Sequence, residues 1–378
     1  MSRSPLGLYL HVPFCRQRCD YCAFYLEIYR KGQANTFVDS LCREIRLYGA
    51  QTVAATHSIH SIYFGGGTPT TLSPDQLQSI LAEIWKAFVM IPDAELSIEA
   101  HPATVSQQDL AQLIQHGFNR LSLGAESMDD REFLSIGRPG AVHETMHAMV
   151  MARAAGFANI NLDLMSGLPG QTLDGWQQSL DRVVQLEPTH VSCYALTIEE
   201  GTKLAQKIDR QVTTAPDEAL QVEMDNAAEE LLRRAGYQRY EISNYARPGH
   251  ACRHNLLYWT NGAYLGLGPS AQSYVNGSRF GNMADLEVYN SALSENRFPV
   301  QAYTELSDQE QLRDAVLFGL RLVQGIPTEE LETHVLHYGH RETLMGLRAQ
   351  QLIEEKGLRS RLTAKGRLFA DTIAEKLF

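Results

Sequence analysis

The stretch "HVPFCRQRCDYCAFY", residues 11–25, places Cys15, Cys19 and Cys22 within eight positions, separated by three and then two residues. These are three of the chain's six cysteines. The apolar run "LGLYLHV" (6–12) reads as a strand just before them, and a helix is expected after them. The three thiols therefore fall on a strand-to-helix loop. In a parallel barrel such loops line the C-terminal face, where the chemistry of these folds gathers. A [4Fe–4S] cluster is usually held by four thiolates, and three leave one iron open to an outside ligand. A structural zinc site is closed and takes a fourth protein ligand. His11, on the strand side, is a candidate for that fourth ligand. Three unconnected thiols are the remaining reading, which this spacing disfavours.

The chain has 378 residues, 44% of them apolar, enough for one large domain and a small one. A formal charge of −11 argues against a general nucleic-acid or anionic-membrane binder. No apolar run is long enough to cross a bilayer. The opening "MSRSPLGLYLHVPFC" lacks a secretory h-region with a cleavage site. The expected compartment is the cytoplasm, with peripheral association at a membrane allowed. Clustered cysteines there mean metal or redox chemistry more often than staples.

Five further strand-like runs follow: "IHSIYFG" (59–65), "ELSIEAH" (95–101), "RLSLGAE" (120–126), "NINLDLMSG" (159–167) and "HVSCYAL" (190–196). Several read as nearly continuous apolar segments, as buried parallel strands do. Helices are expected between them. One starts at Ser73-Pro74-Asp75-Gln76, a capping box with proline at the first helical position. Another spans 216–235, with Leu220, Met224, Ala228 and Leu231 on one face and Gly236 as its stop. Alternating strands and helices predict an α/β fold built as a parallel (β/α)6-type partial barrel. A doubly wound sheet is the competing reading. Residues 1–236 form the predicted barrel. Residues 237–304 are an extension holding the strand-like "YQRYEIS" and Gly-, Asn- and Tyr-rich loops. Residues 305–378 form a small, mostly helical, winged-helix-like domain. Ser307-Asp308-Gln309-Glu310 caps one of its helices, and Thr328 is expected to cap another.

C-x3-C-x2-C with the aromatic Tyr21 before its last cysteine resembles the radical SAM enzymes. The resemblance implies a [4Fe–4S] cluster on Cys15, Cys19 and Cys22. Its open iron would be chelated by S-adenosylmethionine, which an electron cleaves to methionine and a 5′-deoxyadenosyl radical. "FGGGTPT" (64–70) is similar to the family's methionine-binding motif and points to Gly66, Gly67 and Thr68. Exposed amides in such a Gly-rich turn can bind a carboxylate. Glu99 and Asp163 end or interrupt apolar strands, and a carboxylate there needs a partner. For Glu99 that partner is either the cofactor or Arg120 or Arg138. Asp163 either meets the cofactor or caps the next turn. The resemblance also points to Tyr9, Arg138 and Ala195.

Most of the chain resembles the oxygen-independent coproporphyrinogen III oxidase family. "YLHVPFCRQRCDYCAF", "SIEAHPAT", "NLDLMSGLPGQT", "YEISNYARPGHACRHNLLYW" and "YLGLGPSAQS" fall in the family's order. Within it, "HNLLYW" (254–259) is similar to the haem-chaperone (HemW) branch. The first strand beginning almost at the start and Phe24, where true dehydrogenases carry a further cysteine, point the same way. The resemblance implies haem binding and transfer to an acceptor protein. His254 would contact iron or porphyrin edge, with Tyr258 and Trp259 as aromatic walls. The alternative is a loop with a capping His-Asn pair and two buried aromatics. His250 and Cys252 are secondary candidates.

The chain departs from the family pattern at Glu126, where glutamine is common, at Gly140, where histidine is common, and at Gln272, where A-H-S has become Ala271-Gln272-Ser273. Glu126 and Gln272 are still expected near the cofactor. The leading expectation is thus a haem chaperone on a radical SAM core, supplied by an electron donor such as a flavodoxin. Coproporphyrinogen dehydrogenation and a cluster-bearing DNA-binding regulator are the alternatives. The basic C-terminal segment (Arg341 to Arg367) is read as a solvated face, with no nucleic-acid partner expected.

Overall fold

The computed structural model describes residues 3–30 and 32–377. Six strands lie where periodicity places them: β1 (Ser4–Val12), β2 (His57–Gly66), β3 (Met90–Ala100), β4 (Arg120–Glu126), β5 (Asn159–Ser166) and β6 (His190–Ala195). They pair in parallel in chain order. Helices connect them, as parallel neighbours require. The Pro74–Ala87 helix opens with the expected capping box on Ser73 and Gln76.

The strands are not continuously apolar. Leu8 and Leu10, Ile62 and Phe64, Leu96 and Ile98, Leu121 and Leu123, and Leu162 and Leu164 are buried in one core with the connecting helices. The intervening residues are polar and bond to one another across the other face. Asn161 reaches Ser122, Asp163 and His190 there. The sheet therefore alternates, with an apolar outer face against helices and a polar lumen. A standard eight-stranded barrel fills its interior with branched apolar side chains. This one leaves polar groups facing each other across an open, partial barrel.

Residues 237–304 hold four more sheet strands than the one strand-like run expected there, besides the pieces around it. β7 (Tyr264–Leu267) pairs in parallel with the outer edge of β1, Gly7 opposite Tyr264. β8 (Gln272–Val275), β9 (Ser278–Asn282) and β10 (Val300–Glu305) continue the sheet antiparallel. "YQRYEIS" forms only the two-residue strand Gln238–Arg239 and an isolated bridge from Glu241 to Leu322. The neighbouring strand Asn244–Ala246 extends the sheet beyond β6.

The helix expected over 216–235 runs Glu218–Arg234 with Asp217 as its cap; it buries Met224, Ala228 and Leu232, and Leu220 and Leu231 pack partly buried against the same core. Residues Val316 to Leu377 pack a separate apolar cluster around helices and a three-stranded sheet. Ser307 and Glu310 form their capping box. Thr328 is not a cap but the first helical residue after Pro327, and its hydroxyl accepts from Ser360.

Glu44, on the Gln33–Gly49 helix, ties the extension to the barrel. Its buried carboxylate accepts from the Gly268 amide (2.8 Å), the Asn282 amide group (2.6 Å) and the Tyr289 hydroxyl (2.6 Å). Replacing it with Leu strands three buried donors, each costing about 1–3 kcal/mol. Glu44→Gln keeps the acceptor that serves Gly268 and Tyr289. Denaturant melts should show Glu44→Leu destabilised by about 3 kcal/mol or more and Glu44→Gln by clearly less. Equal melting of the two variants would refute this role.

Candidate functional site

The cysteine loop sits at the C-terminal end of β1. Phe14–Cys15 pairs with Glu27–Ile28, and the Cys22 amide bonds the Cys19 carbonyl at 3.3 Å. All three thiols are free and half-buried. Burial pushes all three above the usual thiol range, while the Arg138 guanidinium, and for Cys15 and Cys22 that of Arg18 as well, pulls them down. Arg138 donates to Cys19 Sγ at 3.8 Å and to the Gly124 carbonyl at 2.5 Å.

The turn after β2 is seated against this loop. The Gly67 amide donates to the Val12 carbonyl (2.8 Å) and the Thr68 amide to the Phe14 carbonyl (2.7 Å). The Gly66 amide goes to Glu99. The glycines therefore do not offer free amides to a ligand carboxylate. Their role is close approach. A Cβ on Gly67 would lie 2.6 Å from the Phe14 carbonyl and 3.1 Å from Cys15 Sγ. Gly66 has φ +109°, a left-handed backbone suited to glycine, and a Cβ there would strike the His11 ring. The Thr68 hydroxyl lies 3.5 Å from Cys15 Sγ.

His11 is not a fourth ligand. Its Nδ1 is 3.2 Å from the Tyr9 hydroxyl and its Nε2 3.1 Å from the Tyr25 carbonyl, so both ring nitrogens are engaged. Three thiols without a histidine neighbour suit a cluster with one open iron better than a closed zinc site.

Behind the loop, the lumen presents carboxylates. Glu99 accepts from the Tyr63 hydroxyl at 2.8 Å, and burial together with the nearby Asp163 pushes its carboxyl up to about 7. It forms no ion pair with Arg120 or Arg138 among the described residues. Asp163 accepts from Ser122 (2.9 Å) and Asn161 (2.8 Å) and is not a turn cap. Glu126 lies at a bulge in β4 with φ +57°, and its Oε1 is 3.5 Å from Arg138. The Tyr21 hydroxyl also bonds it. Arg138 thus offsets the extra charge that this position carries. Ala195 is exposed where β6 ends. Cysteine loop, Gly-rich turn, Tyr9, Tyr21, Glu99, Glu126, Arg138, Asp163 and Ala195 share one end of the barrel.

Gln272 does not join them. It lies on the antiparallel strand β8, exposed, with its amide on the Ser270 carbonyl, and it is Ser273 that bonds back to β7. A Cβ at Gly140 would meet Glu144 Oε2 at 3.2 Å and the His101 ring at 3.5 Å, and His101 Nε2 meets the Pro139 carbonyl at 3.1 Å.

The H-N-x-x-Y-W box forms a helix, Arg253–Trp259, at the barrel floor. Glu95 accepts from the amides of Arg253 (3.0 Å) and His254 (3.3 Å) at its start. His254 is buried, with Nδ1 2.9 Å from Ser61 and Nε2 2.9 Å from the Tyr258 hydroxyl. Burial and nearby Arg120 push its imidazole down to about 3, so it stays neutral. Its ring stacks on Tyr63 at 5.3 Å, one layer below Glu99. Tyr258 packs edge-on to Tyr264, and Trp259 meets Phe318 and Arg321. The expectation of an open haem ligand is therefore corrected at His254, whose two nitrogens are taken, and at Tyr258, which packs internally; Trp259 lines a cleft of about 240 Å³ with Phe318 and Arg321. The signal that finds Tyr63 and His254 as supports is the polar alternation along the strands, which a reading of continuous apolar runs passes over.

Cys42 is a packing residue, and Cys252 donates to Glu95. In the C-terminal region Arg348, Arg361 and Arg367 are held by Glu332 and Glu355, by Glu354 and by Glu229, whereas Arg341, Lys356, Arg359 and Lys365 form no ion pair among the described residues.

A Radical SAM superfamily model matches residues 9–183. Fold and cysteine loop alike define a radical SAM protein. "Heme chaperone HemW" of Mycobacterium tuberculosis is 36% identical over all of this chain and 96% of its own length. The Bacillus subtilis protein of the same name is 33% identical over 84% of each. The chain belongs to the HemW family. A solved structure of Escherichia coli coproporphyrinogen III oxidase (HemN), described as a radical SAM enzyme, superposes with a TM-score of 0.87 at 24% identity, covering 99% of this chain and 90% of that one. That likeness is one of fold.

The seat of the turn on the cysteine loop yields a direct expectation. Gly67→Ala should fold, yet after anaerobic reconstitution it should hold less than half the iron and sulfide of the parent chain. Full loading of Gly67→Ala would show that the close approach is not needed.

Proposed function

We propose that this chain is a haem chaperone: it binds haem and passes it to an acceptor protein, on a core that holds a [4Fe–4S] cluster and S-adenosylmethionine. The observation that carries this reading is the 36% identity to a haem chaperone along the entire chain, C-terminal region included. The polar lumen and the three unaccompanied thiols fit the two resident cofactors. When bound, cluster and sulfonium together supply a one-electron centre.

The chain's own residues set up that centre. Cys15, Cys19 and Cys22 ligate, and Arg138, joined by Arg18 at Cys15 and Cys22, favours their thiolate forms. Glu99 and Asp163 present acceptors to a cationic, hydroxyl-bearing ligand. Glu126 stays paired with Arg138, and Tyr21 holds it in place. His254 keeps Tyr63, and through it Glu99, at a fixed height. An acceptor protein and an electron donor such as a flavodoxin complete the scheme. Among the described residues no helix is long and apolar enough to cross a membrane.

The test is a haem titration of the reconstituted chain, followed by transfer to an apo-haemoprotein. Binding and transfer are expected, and a chain that takes up no haem would end this reading. A second expectation concerns pH. Glu99 titrates near 7, above its unfolded value, so its charged form grows as pH rises from 5.5 to 7.5. Affinity for cationic adenosylmethionine should rise severalfold over that range and should rise less in Glu99→Gln. Parallel profiles for the two chains would exclude Glu99 as the acceptor.

A further inference from the structure

The internal bonding of His254 and Tyr258 leaves open where haem would sit. An open cleft of about 480 Å³ lies on the outer side of the cysteine loop, lined by residues that include Arg16, Arg18, Leu26, Ile28, Arg30 and Lys203. The same loop exposes large apolar side chains: Phe24 is 71% exposed, Ile28 44% and Tyr29 37%. Exposed apolar groups gathered on one loop mark an interaction surface. Here they are interleaved with cations, on a chain whose formal charge is −11.

The cations differ in how they are used. Arg18 donates to the Leu26 carbonyl and sits near the thiols, and Lys203 is 4.0 Å from Asp20. Asp20 is engaged more closely by Lys207 at 2.5 Å. Arg16 and Arg30 have no hydrogen-bond or ion-pair partner for their guanidinium groups among the described residues. The one acid lining the cleft, Glu27, accepts from Tyr25. Two free guanidinium groups beside an apolar surface match a flat apolar ring system that carries two carboxylates. A carrier must also release its cargo. A shallow surface that binds by charge and apolar contact, without a strong axial ligand, suits release better than an enclosed ligating pocket.

Resting on the haem-chaperone reading, we infer that haem docks on this outer face of the cysteine loop, with its carboxylates toward Arg16 and Arg30 and its ring on the apolar surface around Phe24 and Ile28.

The experiment compares the reconstituted parent chain with an Arg16→Glu/Arg30→Glu double variant. Neither arginine touches a thiol, so iron, sulfide and adenosylmethionine binding should match the parent. Haem affinity should fall by about tenfold or more, as loss of charge-paired contacts does. Haem dimethyl ester, which lacks the carboxylates, should bind both chains alike. Phe24→Ser should weaken haem and ester together. A double variant that binds haem as tightly as the parent overturns the proposal. So does one that binds haem normally but is reduced more slowly by an acidic electron carrier, which would make the face that carrier's dock. A parent chain that binds no haem removes the chaperone reading, and the docking site with it. A parent that binds haem while the variant is unaffected removes the docking site alone.

Discussion

Two backbone hydrogen bonds, from Gly67 to Val12 and from Thr68 to Phe14, hold the cysteine loop against the turn that ends β2. They continue the β1–β2 pairing past the sheet's edge into what would otherwise be two independent loops. Because side chains at Gly66 and Gly67 would collide with His11 and Phe14, the approach depends on bare backbone. Cys15 is thereby fixed beside Thr68, and the loop that follows is held over the lumen, where Arg138 and Glu126 meet Cys19 and Tyr21. Loosening that seat would release the thiols, whose burial favours the protonated form.

The lumen is the second organising feature. Polar side chains are buried there because each has a partner, as low-dielectric surroundings demand. Glu99 has Tyr63; Asp163 has Ser122 and Asn161; His190 has Asn161 and Tyr240. Arg120 differs: its Nε and Nη1 are buried without a hydrogen-bond partner among the described residues. The helix that carries His254 closes this lumen from below. It rests on Glu95 and Ser61, and it transmits its position to the mouth through the Tyr63 ring. A motif associated with haem by resemblance thus has an architectural role in this chain.

Much of this was legible in the residues. The six barrel strands stood out because apolar positions recur in short runs bounded by turn residues, and the Ser73 and Ser307 boxes marked helix starts by a local side-chain rule. The cysteine loop was legible because its spacing is rare. β7 to β10 were not, since strands of four to six residues rich in Gly, Asn and Tyr carry little periodicity. Their pairing with β1 is decided by tertiary contact. The orientation of His254 was equally hidden, because a histidine and a tyrosine four apart look the same whether they face solvent or a buried partner. Gln272 was misplaced for the same reason: strand alternation put its neighbour Ser273 on the informative side.

The pairing of β7 with β1 has a bearing on biosynthesis. Gly7 to Leu10 lie opposite Tyr264 to Leu267, so the strand that leads into the thiols keeps one edge bare until residues 264–267 have left the ribosome. Contacts so distant along the polypeptide form slowly. The cysteine loop is thus made well before the strand that completes its scaffold, and its seat stays unfinished until that distant pairing forms.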